Sequence, residues 1–171
     1  MKIKRIHTPL TEDQIRGLKA GDQVRICGTI YTARDAAHAK MVEALEKGQP
    51  LPMELEGALI YYAGPTPAKP GMPVGSLGPT TSGRMDAFAP KLLAQGLKGM
   101  MGKGPRSQAV QEAAVRYGAV YFAALGGAGA LDAVVLSGVT AVMLCELAGE
   151  IAERIARGRT NGSTLQGGQH A

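Results

Sequence analysis

Residues 23–48 read "QVRICGTIYTARDAAHAKMVEALEKG", and the hydrophobic period changes inside them. Up to Ala33 the β-branched content predicts a strand over 23–33. From Arg34 onward Ala37, Met41, Ala44 and Leu45 fall on one helical face. Asp35 is placed to cap that helix and Gly48 to end it. A strand running directly into a helix is the grammar of an α/β sheet.

The same grammar recurs outward from this stretch. "GALIYYA" (57–63) and "MPVGSL" (72–77) read as strands, the second leading into "GPTTSGRMD" and a helix around 86–95. "LKGMM" (97–101) is a strand ending in "GKG", with a helix around "SQAVQEAAVRYG", and "AVYFAAL" (119–125) is a strand ending in "GGAG". Before residue 23, "TEDQ" at Thr11–Gln14 has capping-box spacing and opens a short helix. The expected fold is one compact α/β domain with glycine-rich loops at the carboxyl ends of its strands.

Composition narrows the function. The 171 residues are enough for one domain with a real core. The net charge of +5 comes without a run of Lys and Arg and with few aromatic rings, which argues against nucleic acid and suits an anionic metabolite or an acidic partner. Cys27 and Cys145 stand in apolar stretches without metal-ligand spacing, so buried, reduced thiols are expected. The start "MKIKRIHTPLTED" has no apolar core of signal-peptide length, and the expected compartment is the cytoplasm. Residues 119–147 are largely apolar, but Asp132 interrupts them and each piece falls short of the ~20 residues a membrane span needs.

Ligands of such sheets collect at strand carboxyl ends, where loops and helix N-termini present N–H groups. Arg34, Thr80, Thr81, Arg84 and Lys103 all fall there, and three cations with two hydroxyls at one edge describe a pocket for a small polyanion. "GPTTSGR" carries the sharpest signal. Gly78 and Pro79 set the turn, the hydroxyls follow, and Arg84 adds the fork that grips a carboxylate in two places. A capped turn ahead of a helix is the competing explanation. His38, one turn after Arg34, shares its face and reads as a hydrogen-bonded structural histidine. "PTPAKPG" reads as a stiff surface loop with Lys69 in solvent. Nucleotide loops fail: "MMGKGPR" has Leu97 at the first glycine position of a P-loop and Gly104 in place of Ser or Thr. "GGAGALD" lacks the third glycine of a dinucleotide fingerprint. His7, His38 and His170 are scattered, so no metal is expected on this chain.

Taken together, "GTIYTARDAAH", "YYAGPTPAKPG", "GPTTSGRMD", "GKG" and "YGAVYF…LGGAGAL" resemble the β subunit, or the equivalent C-terminal domain, of iron–sulfur-dependent class I fumarate hydratases. The L(+)-tartrate dehydratase β subunit is a close relative. The resemblance implies a swivelling β/β/α domain over 1–157, divergent from 132 to 157, before a polar tail at 158–171 that is expected to be disordered. It also implies a hydro-lyase active only with an α partner, which holds a [4Fe–4S] cluster and its open iron. The substrate is then a small dicarboxylate, most specifically fumarate hydrated to L-malate. Alternatives are L(+)-tartrate dehydration and a non-catalytic dicarboxylate-binding domain. By position, Arg34, Thr81, Arg84 and Lys103 resemble the substrate clamps and Thr80 the catalytic residue at the substrate carbon, with Asp35 and His38 behind them. A hetero-oligomer is implied, or a homodimer in isolation, with no membrane or nucleic acid involved.

Overall fold

The computed structural model describes residues 3–67, 70, 76–124 and 141–144. Five parallel strands form the central sheet of this part. These are β3 (Ile30–Ala33), β4 (Leu59–Tyr61), β7 (Gly99–Gly102), β8 (Val120–Ala123) and β9 (Ala141–Leu144), in the order β8-β7-β4-β3-β9. Parallel neighbours need crossover connections. Helix α2 (Asp35–Glu46) supplies one between β3 and β4, and α4 (Gln108–Tyr117) another between β7 and β8. The long connection from β4 to β7 holds an antiparallel pair, β5 (Ala63–Pro65) with β6 (Leu77–Pro79). A 3-10 turn at Ser82–Met85 and the short helix α3 (Ala89–Leu93) follow.

Alternation along β4 shows why the sheet sits where it does. Leu59 and Tyr61 point into one apolar cluster, Ile60 and Tyr62 into the other, and all four are essentially unexposed. The first cluster is closed by Ile6 of β1 (Lys4–His7), by Ile15 of α1 (Glu12–Arg16), by Val24 and Ile26 of β2 (Val24–Cys27), and by Leu77. The second is closed by Met41 and Val42 of α2, Leu92 and Leu93 of α3, and Val110 and Ala113 of α4. Helices therefore cover one face and a strand-rich layer the other, so the central strands are near-continuous apolar runs.

Several expected boundaries change. The single strand read over 23–33 is two: β2 pairs with β1, and β3 joins the central sheet. The break is Gly28, at φ +103°, where a Cβ would stand 2.5 Å from Thr8 Oγ1. Only glycine tolerates both the left-handed backbone and the close approach. Asp35 is the first residue of α2 rather than its cap; Arg34 holds the cap position without a side-chain bond, because a guanidinium has no acceptor to offer the helix N–H groups. The buried face of α2 is Ala37, His38, Met41 and Val42, with Ala44 and Leu45 only half-buried. The 57–63 strand is divided between β4 and β5, and the helix around 86–95 is confined to Ala89–Leu93. Cys27 is free but half-buried, because among the described residues β2 pairs only with β1, in a two-stranded sheet. The Thr11 capping box forms as expected.

Among the described residues no helix is long and apolar enough to cross a membrane. Within 119–147, Val120–Ala123 and Ala141–Leu144 are strands. Lys69, Cys145, His170, most of the 72–77 strand, the "GGAG" crest and the segments after 144 lie outside the described residues.

Candidate functional site

Because β3, β4 and β7 are parallel neighbours, their carboxyl ends lie along one edge. Arg34 directly follows β3, Tyr62 follows β4 and Lys103 follows β7. Thr80, which follows β6, is drawn to the same edge because its N–H donates to the Tyr62 carbonyl at 2.7 Å. The Lys103 N–H donates to the Thr80 carbonyl at 3.3 Å, and the Ser82 N–H to the Lys103 carbonyl at 2.8 Å, which makes a parallel bridge between Thr81 and Lys103. Residues separated by some twenty positions in sequence are thereby fixed side by side through backbone.

The cations are arranged around a carboxylate. Arg84 donates to Asp35 Oδ2, and Arg34 Nε stands 3.8 Å from Asp35 Oδ1. Asp35 thus holds two guanidinium groups together at the N-terminus of α2, where the helix dipole also favours an anion. The Arg34 chain lies along Gly64 of β5. A Cβ there would stand 3.1 Å from Arg34 Cδ and 3.3 Å from Nη1. The "YYAGP" stretch therefore contributes a flat wall beside the guanidinium. Arg84, Thr81 and Lys103 are exposed, and Arg34, Asp35 and Thr80 half-buried. Of the expected site residues, Arg34, Asp35 and Arg84 meet through side chains, while Thr80, Thr81 and Lys103 meet through backbone.

His38 lies beneath this edge, with 0% exposure. Its Nδ1 is 2.9 Å from the Arg34 carbonyl, which can only accept, so the neutral ring carries its proton at Nδ1. The ring stands edge-on to Tyr62, with centroids 5.2 Å apart. Burial, aided by the Arg106 charge, pushes its pKa down to about 4 despite the bond to Arg34. The expectation of a structural, hydrogen-bonded histidine matches this geometry.

A second polar group escaped the sequence reading. Arg106 is 7% exposed. Its Nε donates to Asp86 Oδ1 at 2.7 Å and its Nη1 to the Tyr62 hydroxyl at 3.2 Å. Its guanidinium carbon lies 5.1 Å from the Tyr62 ring centroid and 5.3 Å from that of Tyr121. Burial raises the Tyr62 phenol to about 12, against the opposing pull of Arg106, so it stays protonated. The Tyr121 hydroxyl meets Ser82 Oγ at 2.9 Å and donates to the Gly104 carbonyl at 2.9 Å. An arginine two residues beyond a glycine-rich loop gives no local sign of burial; only the tyrosines and aspartate from distant segments create it.

No group of three or more His, Cys, Asp or Glu able to hold a metal ion occurs among the described residues. What fold and edge define is an α/β domain whose parallel sheet gathers cations and hydroxyls along the carboxyl ends of its strands. The chain belongs to the fumarase C-terminus family, whose model matches residues 1–156. It is 44% identical over 110 residues to fumarate hydratase 1, mitochondrial, of Leishmania major, covering 64% of this chain and 20% of that protein. It is 39% identical over 129 residues to the aerobic class I fumarate hydratase of Salmonella typhimurium, covering 74% and 22%. It is 39% identical over 125 residues to a putative L(+)-tartrate dehydratase subunit beta of Methanocaldococcus jannaschii, covering 71% and 64%. The chain therefore spans about a fifth of the length of those fumarate hydratases.

Proposed function

We propose that this chain supplies the dicarboxylate-binding half of an iron–sulfur-dependent hydro-lyase, most specifically a fumarate hydratase interconverting fumarate and L-malate. The observation that carries the reading is the pairing of Arg34 and Arg84 across Asp35, on the edge where a backbone hydrogen bond joins Lys103 to Thr80, in a chain of this family. The layering of helices, parallel sheet and small strand pairs supports a swivelling β/β/α domain. The [4Fe–4S] cluster implied by the resemblance does not fit this chain's own residues. Cys27 is the one cysteine among those described, and no ligand group surrounds it. In this reading the cluster belongs to a partner α chain or domain.

The residues of this chain have a coherent chemistry. Interconversion requires a proton to leave or join a carbon beside a carboxylate, and negative charge then spreads into that carboxylate. Guanidinium forks aimed at it stabilise the charge-rich transition state more than the ground state. Arg34 and Arg84 are those forks, and Lys103 adds a point charge from the end of β7. Thr80 is assigned to the reacting carbon. Its hydroxyl is a very weak acid, so it can handle a proton only where nearby cations and exclusion of water favour the alkoxide. Asp35 orients the forks, and a substrate carboxylate competes with it for them.

L(+)-tartrate dehydration is the second reading, favoured by the larger share, 64%, of the relative named as a separate β subunit that the match covers. Anaerobic co-expression with a cysteine-bearing α chain, assayed with fumarate, L-malate and L(+)-tartrate, tests both. Turnover by the pair and by neither part alone is expected, and the preferred diacid selects between the readings. A chain that binds dicarboxylates but neither joins an α chain nor turns over any diacid overturns the enzymatic assignment in favour of a binding domain.

A further inference from the structure

We infer that Arg106 is a positioning residue, a buried clamp that sets Lys103 at its working distance from Thr80 and Arg84. The inference rests on the dicarboxylate site proposed above. Apart from Arg34, the ligand-binding groups lie on two strips of chain, 80–84 and 103, and Arg106 ties both to the end of β4. Asp86, two residues beyond Arg84, receives Arg106 Nε through one oxygen and the Ser107 N–H through the other, at 2.6 Å. Arg106 and Ser107 themselves follow Lys103 by three and four residues. Nη1 reaches Tyr62, whose carbonyl holds the Thr80 N–H. The Tyr121 ring also lies against the guanidinium, 5.3 Å from its carbon, and its hydroxyl fastens Ser82 to Gly104.

Burying a guanidinium costs more than burying a hydrocarbon of similar size, even when it is paired. Stability alone would be served as well by an apolar side chain. What arginine adds is a rigid planar fork that bonds an aspartate and a tyrosine at fixed angles while two tyrosine rings lie close to it. Lysine keeps the charge and loses that geometry. The arrangement therefore fixes the relative placement of two strips that otherwise touch through a few backbone hydrogen bonds.

The test uses the enzyme assembled with its cluster-bearing partner, comparing the parent with Arg106→Lys, Arg106→Met, Arg84→Lys and the double variant Arg84→Lys/Arg106→Met. Misplacement of binding groups by about 1 Å costs up to ~100-fold in rate. A ~10- to 100-fold fall in kcat/KM per folded site is therefore expected for both Arg106 variants, without rescue by lysine. The double variant is expected to lose clearly less than the product of the single losses, because the clamp fixes the spacing of Lys103 from the Arg84 fork, and Arg84→Lys has already removed that fork. Unchanged kcat/KM in the single variants, or losses that multiply in full, would overturn the inference and leave Arg106 a structural residue. Should Arg106→Met fail to fold, Tyr121→Phe loosens the same clamp without stranding a charge, and a several-fold rise in KM is expected. An unchanged KM counts against the clamp. If the parent assembly hydrates no diacid, the proposed function fails, and amide hydrogen exchange of Arg106→Lys decides this inference separately. Faster exchange confined to 80–86 and 102–107 supports it, and exchange unchanged there overturns it.

Discussion

At the scale of single residues, the candidate site shows cations whose usefulness depends on what holds them. Arg84 can grip a carboxylate with two parallel bonds, and Lys in its place offers a point charge. Arg84→Lys is expected to lower turnover of the assembled enzyme by ~100-fold, on the order found when one transition-state donor is removed. Steady-state kinetics with fumarate check this, and an unaltered rate removes Arg84 from the site. His38 sets a different expectation. Its pKa is about 4 in the folded protein against an ordinary 6.5, so between these values the unfolded chain binds a proton that the folded one refuses. Its contribution is whole above pH 6.5 and falls by about 3 kcal/mol as the pH drops to about 4, then levels off. Urea unfolding at pH 7, 5.5 and 4 should show this decline, and His38→Asn should flatten it. The sequence placed His38 on the face of Arg34; it could not show that Tyr62 and Phe88 would enclose the ring.

At the scale of elements, the close approach of β7 to the 3-10 turn decides the shape of the edge. A Cβ on Gly102 would stand 2.3 Å from Ser82 Oγ and 3.0 Å from Tyr62 Cδ2. Gly102→Ala is therefore expected to push the turn away and cost about 1–3 kcal/mol, the usual range for overpacking. Chemical denaturation measures the cost, and weaker dicarboxylate binding should accompany it if Lys103 and Thr81 separate. "GKG" was legible as a crest because glycines mark turns and close approaches. Which neighbour approaches was not legible, since Ser82 lies twenty positions upstream. The strand over 23–33 was misread for a related reason. Its β-branched residues suit either sheet, and the contact of Gly28 with Thr8 is long-range.

At the scale of the whole molecule, two apolar clusters share one sheet, so the two layers are expected to unfold together. Leu59→Ala on the strand-covered face and Leu92→Ala under the helices should each cost about 2–5 kcal/mol. Both should shift one common unfolding transition, followed by circular dichroism. Two separate transitions would mean that the layers fold independently. By itself the sequence determined the alternation of strands and helices, the placement of Arg34, Thr80, Arg84 and Lys103 after strands, and the likeness to a family, because period and turn chemistry are local properties. Only the tertiary structure decided that Asp35 joins two arginines, that backbone bridges Thr81 to Lys103, and that Arg106 is buried against two tyrosines. Those are meetings between distant segments, set by the order of parallel strands and by which side chains the crossovers bring over them, and no local pattern encodes that order.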